Sequence, residues 1–186
     1  MGQKPNQRIQ LTKRLIHEAF IILLRSKSIH QISIRELCEK AGINRTTFYN
    51  HYGSQYDVLL ELSGQYLDDI ARVLENTEQH SREKTLERIT IGLQYMLDNR
   101  ELSLLLINNN VDPTFASRLL SLPKIECLLE SALQDIDDPW AKQSYISFVI
   151  YGSYKILQDW LNDTRQISPA QEAELILKLA GKVCHL

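Results

Sequence analysis

Turn-forming residues are scarce in this chain of 186 residues, with seven glycines and five prolines, about half the average share. That leaves little room for long turn-rich stretches. Cysteine is scarcer still. Cys38, Cys127 and Cys184 are odd in number and widely spaced, form no CxxC pair and have no histidine at metal-ligand spacing. This argues against a disulfide framework and against a metal site, and the three read as small buried hydrophobes. No apolar run approaches the roughly 18 residues that span a bilayer, and the start from Met1 to Arg8 lacks the apolar region of a signal peptide. The expectation is a cytoplasmic protein with no membrane partner. GxSxG, HExxH, P-loop and GxGxxG motifs are all missing, and the five histidines have no motif spacing with acids or cysteines. An enzyme is therefore disfavoured, and nothing calls for a cofactor.

What is present begins with an ordinary globular composition, 44% hydrophobic and 24% charged, which excludes disorder and fibrous repeats. The net charge of −2 argues at first against a nucleic-acid partner, yet it is unevenly spread. Residues 1–60 hold nine Lys/Arg against four acids, a charge of +5, and residues 61–186 therefore carry −7. Such asymmetry suggests two modules, the first suited to a polyanion, although chance clustering on solvated faces gives the same count.

The apolar spacing is helical throughout. Ile16, Ala19, Phe20 and Leu23 follow i, i+3, i+4, i+7, and Leu59, Leu62, Tyr66, Ile70 and Val73 mark a longer stripe. The pattern predicts an all-α fold of about nine helices at 9–26, 33–41, 45–51, 54–76, 83–99, 101–109, 114–133, 139–162 and 169–184. Ser33 with Glu36, Ser54 with Asp57, Ser168 with Gln171, and Asp138-Pro139 supply start signals. The rival strand, Ile146 to Tyr151, has no partner strand and reads better as a buried helix.

The chemistry concentrates at 33–52. A short helix capped by Ser33 stops at Ala41-Gly42, and a second begins near Asn44, the arrangement of a helix-turn-helix. Leu37, Ile43, Phe48 and Tyr52 form the inward face, leaving Arg45, Thr46, Tyr49 and Asn50 outward. Arg45 and Arg35 can reach phosphates or guanine, Asn50 can pair with adenine, and the Thr46 and Thr47 methyls can touch thymine. Tyr49 and His51 can donate to phosphates, and the helix N-terminus at Ser33 can face one. Singly each has a plainer reading: Ser33 a cap, Arg35 an exposed charge, Tyr49 a surface aromatic, His51 a packed histidine.

Together they carry a resemblance. The helix at Thr12 to Leu24, the block Ser33-Ile-Arg-Glu-Leu-Cys, Ala41-Gly42-Ile43, and Thr47-Phe-Tyr-Asn-His-Tyr52 followed by Ser54 resemble the DNA-binding domain of the TetR/AcrR family of transcriptional regulators. The resemblance covers residues 10–62. It implies that Arg35 can read a base and that Asn44, Arg45, Thr46, Thr47, Tyr49, Asn50 and His51 form the operator-contacting helix. Two departures stand out. Gln55 replaces the lysine that usually grips a phosphate, and Ser26-Lys-Ser-Ile-His30 replaces the usual glycine before the second helix, predicting a less tight turn. Lys4 and Arg8 are expected to form a mobile arm.

The organisation implied is a DNA-binding domain at 1–53 and a helical effector-binding and dimerisation domain at 54–186. Within the latter, Asn110-Val-Asp-Pro-Thr-Phe115 is similar to a connector of some family members, and Trp160-Leu161 followed by Ile167-Ser-Pro169 to the junction of the last two helices. From Tyr145 to Leu161 the apolar residues cover more than one stripe. This fits either a fully buried helix in a monomer or one with a second face against a partner subunit, and the resemblance favours a homodimer through Phe148, Tyr151, Gly152, Leu175 and Leu179. Tyr66, Tyr95, Met96, Phe115, Tyr145 and Trp160 are candidates to line a small-molecule pocket or to be plain core. The function implied is a ligand-responsive repressor that binds a palindromic double-stranded DNA operator. The alternative is a co-activator or interaction module of the same fold that no longer reads an operator.

Overall fold

The structure, a computed structural model, describes residues 4–74, 81–108, 111–122, 136–165 and 167–183. Among them the regular elements are helices: α1 (Lys4–Leu24), α2 (Ile34–Ala41), α3 (Arg45–Tyr49), α4 (Gln55–Leu74), α5 (Arg82–Asp98), α6 (Arg100–Ile107), α7 (Phe115–Leu120), α8 (Pro139–Asn162) and α9 (Pro169–Val183), with a single 3-10 turn at Ile29–Gln31. The segment Ile146 to Tyr151 is helical, within α8. The helix expected at 114–133 ends at Leu120, with Ser121 and Leu122 non-helical ahead of Pro123; its remainder, with Cys127 and Cys184, lies outside the described residues.

Two compact units divide the chain. The first comprises Met1–Tyr66 with Asn110–Pro113, the second Leu67–Asn109 with Thr114–Leu186. The division falls inside α4 rather than at residue 53, because Val58, Leu59 and Leu62 of its first turns are buried in the N-terminal core. In that unit α1 packs on α2 and α2 on α3. Ile16, Phe20, Leu37 and Phe48 are fully buried, and Cys38 is buried beside them. Helix α1 begins at Lys4, so Arg8 sits on a helix and not in a mobile arm.

The helix ends follow local chemistry. Ser33 Oγ accepts the Glu36 N–H at 3.2 Å, and Gly42 closes α2 with φ +68, a left-handed conformation that costs a Cβ-bearing residue. At α4 the cap comes from Asp57, which accepts the N–H groups of Gly53 and Ser54 at 2.8 and 3.0 Å. A reciprocal capping box joins Ser168 and Gln171, and Asp138 accepts the Ala141 N–H at 2.7 Å. Between α1 and α2 the glycine is replaced by a 3-10 turn that buries Ile29 and is held by the Ser28 N–H donating to Gln31 Oε1 at 3.0 Å.

In the second unit α9 lies along α5 and against α8, and α8 also packs on α6. Side chains satisfy the carbonyls at the ends of α6 and α8. Tyr154 and Gln158 both donate to the Ile107 carbonyl at 2.7 Å, the Arg100 guanidinium grips the Leu161 carbonyl, and the Trp160 indole donates to Ile167 at 2.9 Å.

Candidate nucleic-acid interface

Helix α3 is one and a half turns long, and its seating explains its exposed face. Asn44 caps it by accepting the Thr47 N–H at 2.7 Å, and Phe48 drives into the core with no exposed surface. The Phe48 ring meets Tyr52 at 5.7 Å between centroids and Tyr49 edge-on at 5.6 Å. With Phe48 inward, Arg45, Thr46, Tyr49 and Asn50 face solvent, while Thr47 and His51 are half-buried. Asn44 is exposed, but its carbonyl oxygen is committed to the cap and its amide N–H groups carry any contact beyond it. Asn50 ends the helix, so Asn50 and His51 lie on the turn that follows and not on a seventh helical position.

Ser33 and Arg35 are exposed at the start of α2. The Arg35 Nε donates to Glu39 at 2.8 Å, and this partner raises the guanidinium pKa further above its ordinary value. The bond uses the Nε alone, and the two terminal amino groups of the guanidinium remain available to a base or phosphate. Gln55 is half-buried in the first turn of α4 and is uncharged where a lysine would add a phosphate anchor.

A polar network beneath α3 was not legible from spacing. Lys13 and His17, one turn apart on α1, reach Glu61 on α4 and Tyr52 after α3. Lys13 Nζ bonds both Glu61 oxygens at 2.9 and 2.8 Å and lies 5.5 Å from the centre of the Tyr52 ring, whose hydroxyl is 3.0 Å from His17 Nε2. Burial raises the Glu61 pKa, but hydrogen bonds from Lys13 and Tyr52 outweigh it and hold the carboxyl below its usual range. Burial pushes the Tyr52 phenol far up, with Glu61 adding to the shift. These groups fix the residues on which α3 rests. The available signal was Lys13 and His17 at i, i+4 beside the apolar stripe of α1.

The second unit holds an apolar cavity of about 150 Å³. Its walls come from Ile70 and Leu74 on α4, Gly92 and Met96 on α5, Leu119 on α7, Val149 and Leu157 on α8, and Ile176 on α9. Of the aromatic and methionine candidates, Met96 lines it. Tyr66 is buried in the N-terminal unit, Phe115 and Trp160 are core, Tyr95 donates to Asp69 at 2.8 Å, and Tyr145 donates to the Ala180 carbonyl at 3.0 Å. Sequence reasoning missed the small residues of the wall, Gly92 and Ser153.

The apolar face beyond this core is partly uncovered. Phe148 is 66% exposed and Tyr151 61% exposed on α8, with Gly152 open beside them, and Leu175 and Leu179 are exposed on α9.

A short polar helix backed by one buried aromatic, following a capped helix and a left-handed glycine turn, is the form in which a helix-turn-helix protein offers side chains to the DNA major groove. The protein is a helix-turn-helix transcriptional regulator whose C-terminal module is helical among the described residues. Residues 12–62 match the family model "Bacterial regulatory proteins, tetR family", and residues 83–182 match "Transcriptional regulator C-terminal region". The chain belongs to the TetR family of transcriptional regulators. It is 30% identical over 91 residues, 48% of this chain and 46% of the relative, to the dhaKLM operon transcriptional activator DhaS of Lactococcus lactis subsp. lactis (strain IL1403). The matched stretches span just under half the length of the curated relatives. Among solved structures, a TetR transcriptional regulator from Streptococcus agalactiae 2603V superimposes with a TM-score of 0.69 at 23% identity, covering 99% of both chains. The FadR repressor of Thermus thermophilus, solved with lauroyl-CoA, does so with a TM-score of 0.56 at 19% identity, covering 90% of this chain and 92% of its own. Likeness at that level extends to the fold. No helix among the described residues is long and apolar enough to cross a membrane.

Proposed function

We propose that this protein acts in the cytoplasm as a homodimer that binds a palindromic operator, represses by occupying it, and responds to a small molecule held in the C-terminal cavity. The observation that carries the reading is the exposed set Arg45, Thr46, Tyr49 and Asn50 on an α3 anchored by Phe48. Arginine there supplies a bidentate donor for guanine O6 and N7, asparagine supplies one donor and one acceptor for adenine N7 and N6, and Tyr49 supplies a phosphate donor. Ser33, Arg35, Asn44, Thr47, His51 and Gln55 complete the contact surface.

The exposed Phe148 and Tyr151, with Gly152, Leu175 and Leu179, support a two-helix dimer face, since a monomer leaves these large apolar side chains in water. Two copies of the motif then enter successive major grooves about 34–36 Å apart. Helix α4 passes from the first unit into the second and forms part of the cavity wall, so a ligand that favours one position of its C-terminal half alters the spacing of the two readers.

Selection from random DNA by the full chain tests this. Enrichment of an inverted repeat with half-sites one helical turn apart is expected, and an unenriched pool would favour an interaction module that no longer reads DNA. A second reading is activation, favoured by the activator name of the Lactococcus relative. Transcription from a promoter bearing the selected site separates them: it falls as a repressor is added and rises as an activator is added.

A further inference from the structure

The cavity in the second unit has one feature that selects among ligands: no charged side chain lines it among the described residues. Among the described residues its polar side chains are two adjacent hydroxyls on α8. Tyr154 is already spent, donating to the Ile107 carbonyl at 2.7 Å, which leaves Ser153 as the hydroxyl available to an occupant. An ionised ligand brought into such a lining loses its hydration without a counter-charge, and each further polar group on it stays unpaired. A volume of about 150 Å³ is large enough for a ring the size of benzene. Gly92 adds to the space. A Cβ there would lie 3.8 Å from Leu74 Cδ2, ordinary contact, so α5 does not require glycine at this point for packing, and its φ is unremarkable. In the middle of a helix glycine is a poor helix former, and its effect here is to leave the cavity open.

We infer that the effector is a compact uncharged hydrophobe, about the size of a single substituted ring, carrying at most one hydrogen-bonding group, which meets Ser153. This rests on the reading of the cavity as an effector site. It separates the chain from regulators whose ligand presents a carboxylate or phosphate to the pocket interior.

The test compares toluene, o-cresol and benzoate, rings of similar size that differ in polarity and charge, by thermal melting of the full-length protein and by titration. Toluene and o-cresol should raise the melting temperature, with benzoate bound at least about a hundredfold more weakly, as burial of an uncompensated charge requires. Gly92→Leu, which places a side chain into the cavity, should abolish the toluene response while the free protein melts cooperatively. Gly92→Ala, a milder filling and a better helix former, should reduce it. Ser153→Ala should lower o-cresol affinity about fivefold and leave toluene unchanged. Benzoate binding as tightly as toluene, or a toluene response that survives both glycine substitutions, would overturn the inference. Operator affinity is then measured with the cavity saturated. Toluene that binds but leaves DNA affinity unchanged overturns its role as an effector, while operator binding itself stands or falls on the selection experiment.

Discussion

Arg45 and Tyr49 stand on the exposed side of α3 and make no contact on which the core depends, apart from the Tyr49 edge against Phe48. Replacing either with alanine should therefore separate DNA affinity from folding. Arg45→Ala is expected to weaken a selected operator by roughly 5- to 150-fold, the range of one bidentate base contact, with an unchanged melting temperature. Fluorescence anisotropy on labelled operator measures it, and equal affinity for wild type and both variants would remove α3 as the reader. His17 is a different case. Burial lowers its pKa below 6.5, against the pull of Glu61 and helped by Lys13. The unfolded chain thus takes up a proton at a pH where the native state does not, and stability is lost as pH falls from 6.5 toward the lowered native value. His17→Gln should flatten that loss between roughly pH 7.5 and pH 5 in urea titrations; a slope identical to wild type would assign it to other groups. Glu61, with its native pKa depressed, adds stability that is present above 4.5 and disappears in more acidic solution.

At the scale of elements, the reader is held by a few local devices. Gly42 ends α2 with φ +68, and a Cβ there would meet nothing within 4 Å. Gly42→Ala therefore costs backbone conformation and not space, about 1–2 kcal/mol, visible as a lower urea midpoint with an unchanged slope. A neutral result would mean that the turn relaxes out of the left-handed region. The turn before α2 shows how such a device is replaced. The missing glycine was expected to loosen it, yet Ser28 and Gln31 close a 3-10 turn there, and Ile29 buries into the core. Helix α8 is the element with two environments. Tyr145, Val149 and Ile150 form a buried cluster, whereas Phe148 and Tyr151 on the same helix stay exposed.

For the whole molecule the uneven charge fits the proposed role. The first 60 residues carry +5 and the remainder −7, which places attraction for a polyanion at the end proposed to read DNA. Operator affinity should fall steeply with added salt, since each neutralised phosphate releases counterions. Gln55 removes one such contact, and Gln55→Lys should both tighten binding and steepen the salt dependence by about one unit of slope. Light scattering is expected to give a dimer, and Phe148→Asp combined with Tyr151→Asp should yield a folded monomer with weakened operator binding. A wild-type monomer at micromolar concentration would refute the palindrome.

The sequence by itself determined most of the helices, their caps and which side chains of α3 face outward. Those rest on interactions between residues three or four apart, such as Ser33 with Glu36 or Asn44 with Thr47, and such spacing is visible in a linear chain. The outward set on α3 was legible for the same reason, because Phe48 and Tyr52 fix one face and leave the other. Tertiary structure decided what depends on distant residues meeting. Lys13 and Glu61 lie 48 positions apart, and His17 and Tyr52 lie 35 apart. The cavity takes its wall from five helices, which no periodicity reports, and only packing showed Tyr145 spent on the Ala180 carbonyl while Gly92 and Ser153 line the cavity. The angle at which helices cross sets which side chains converge and which leave a gap, and that angle is a property of the assembled core.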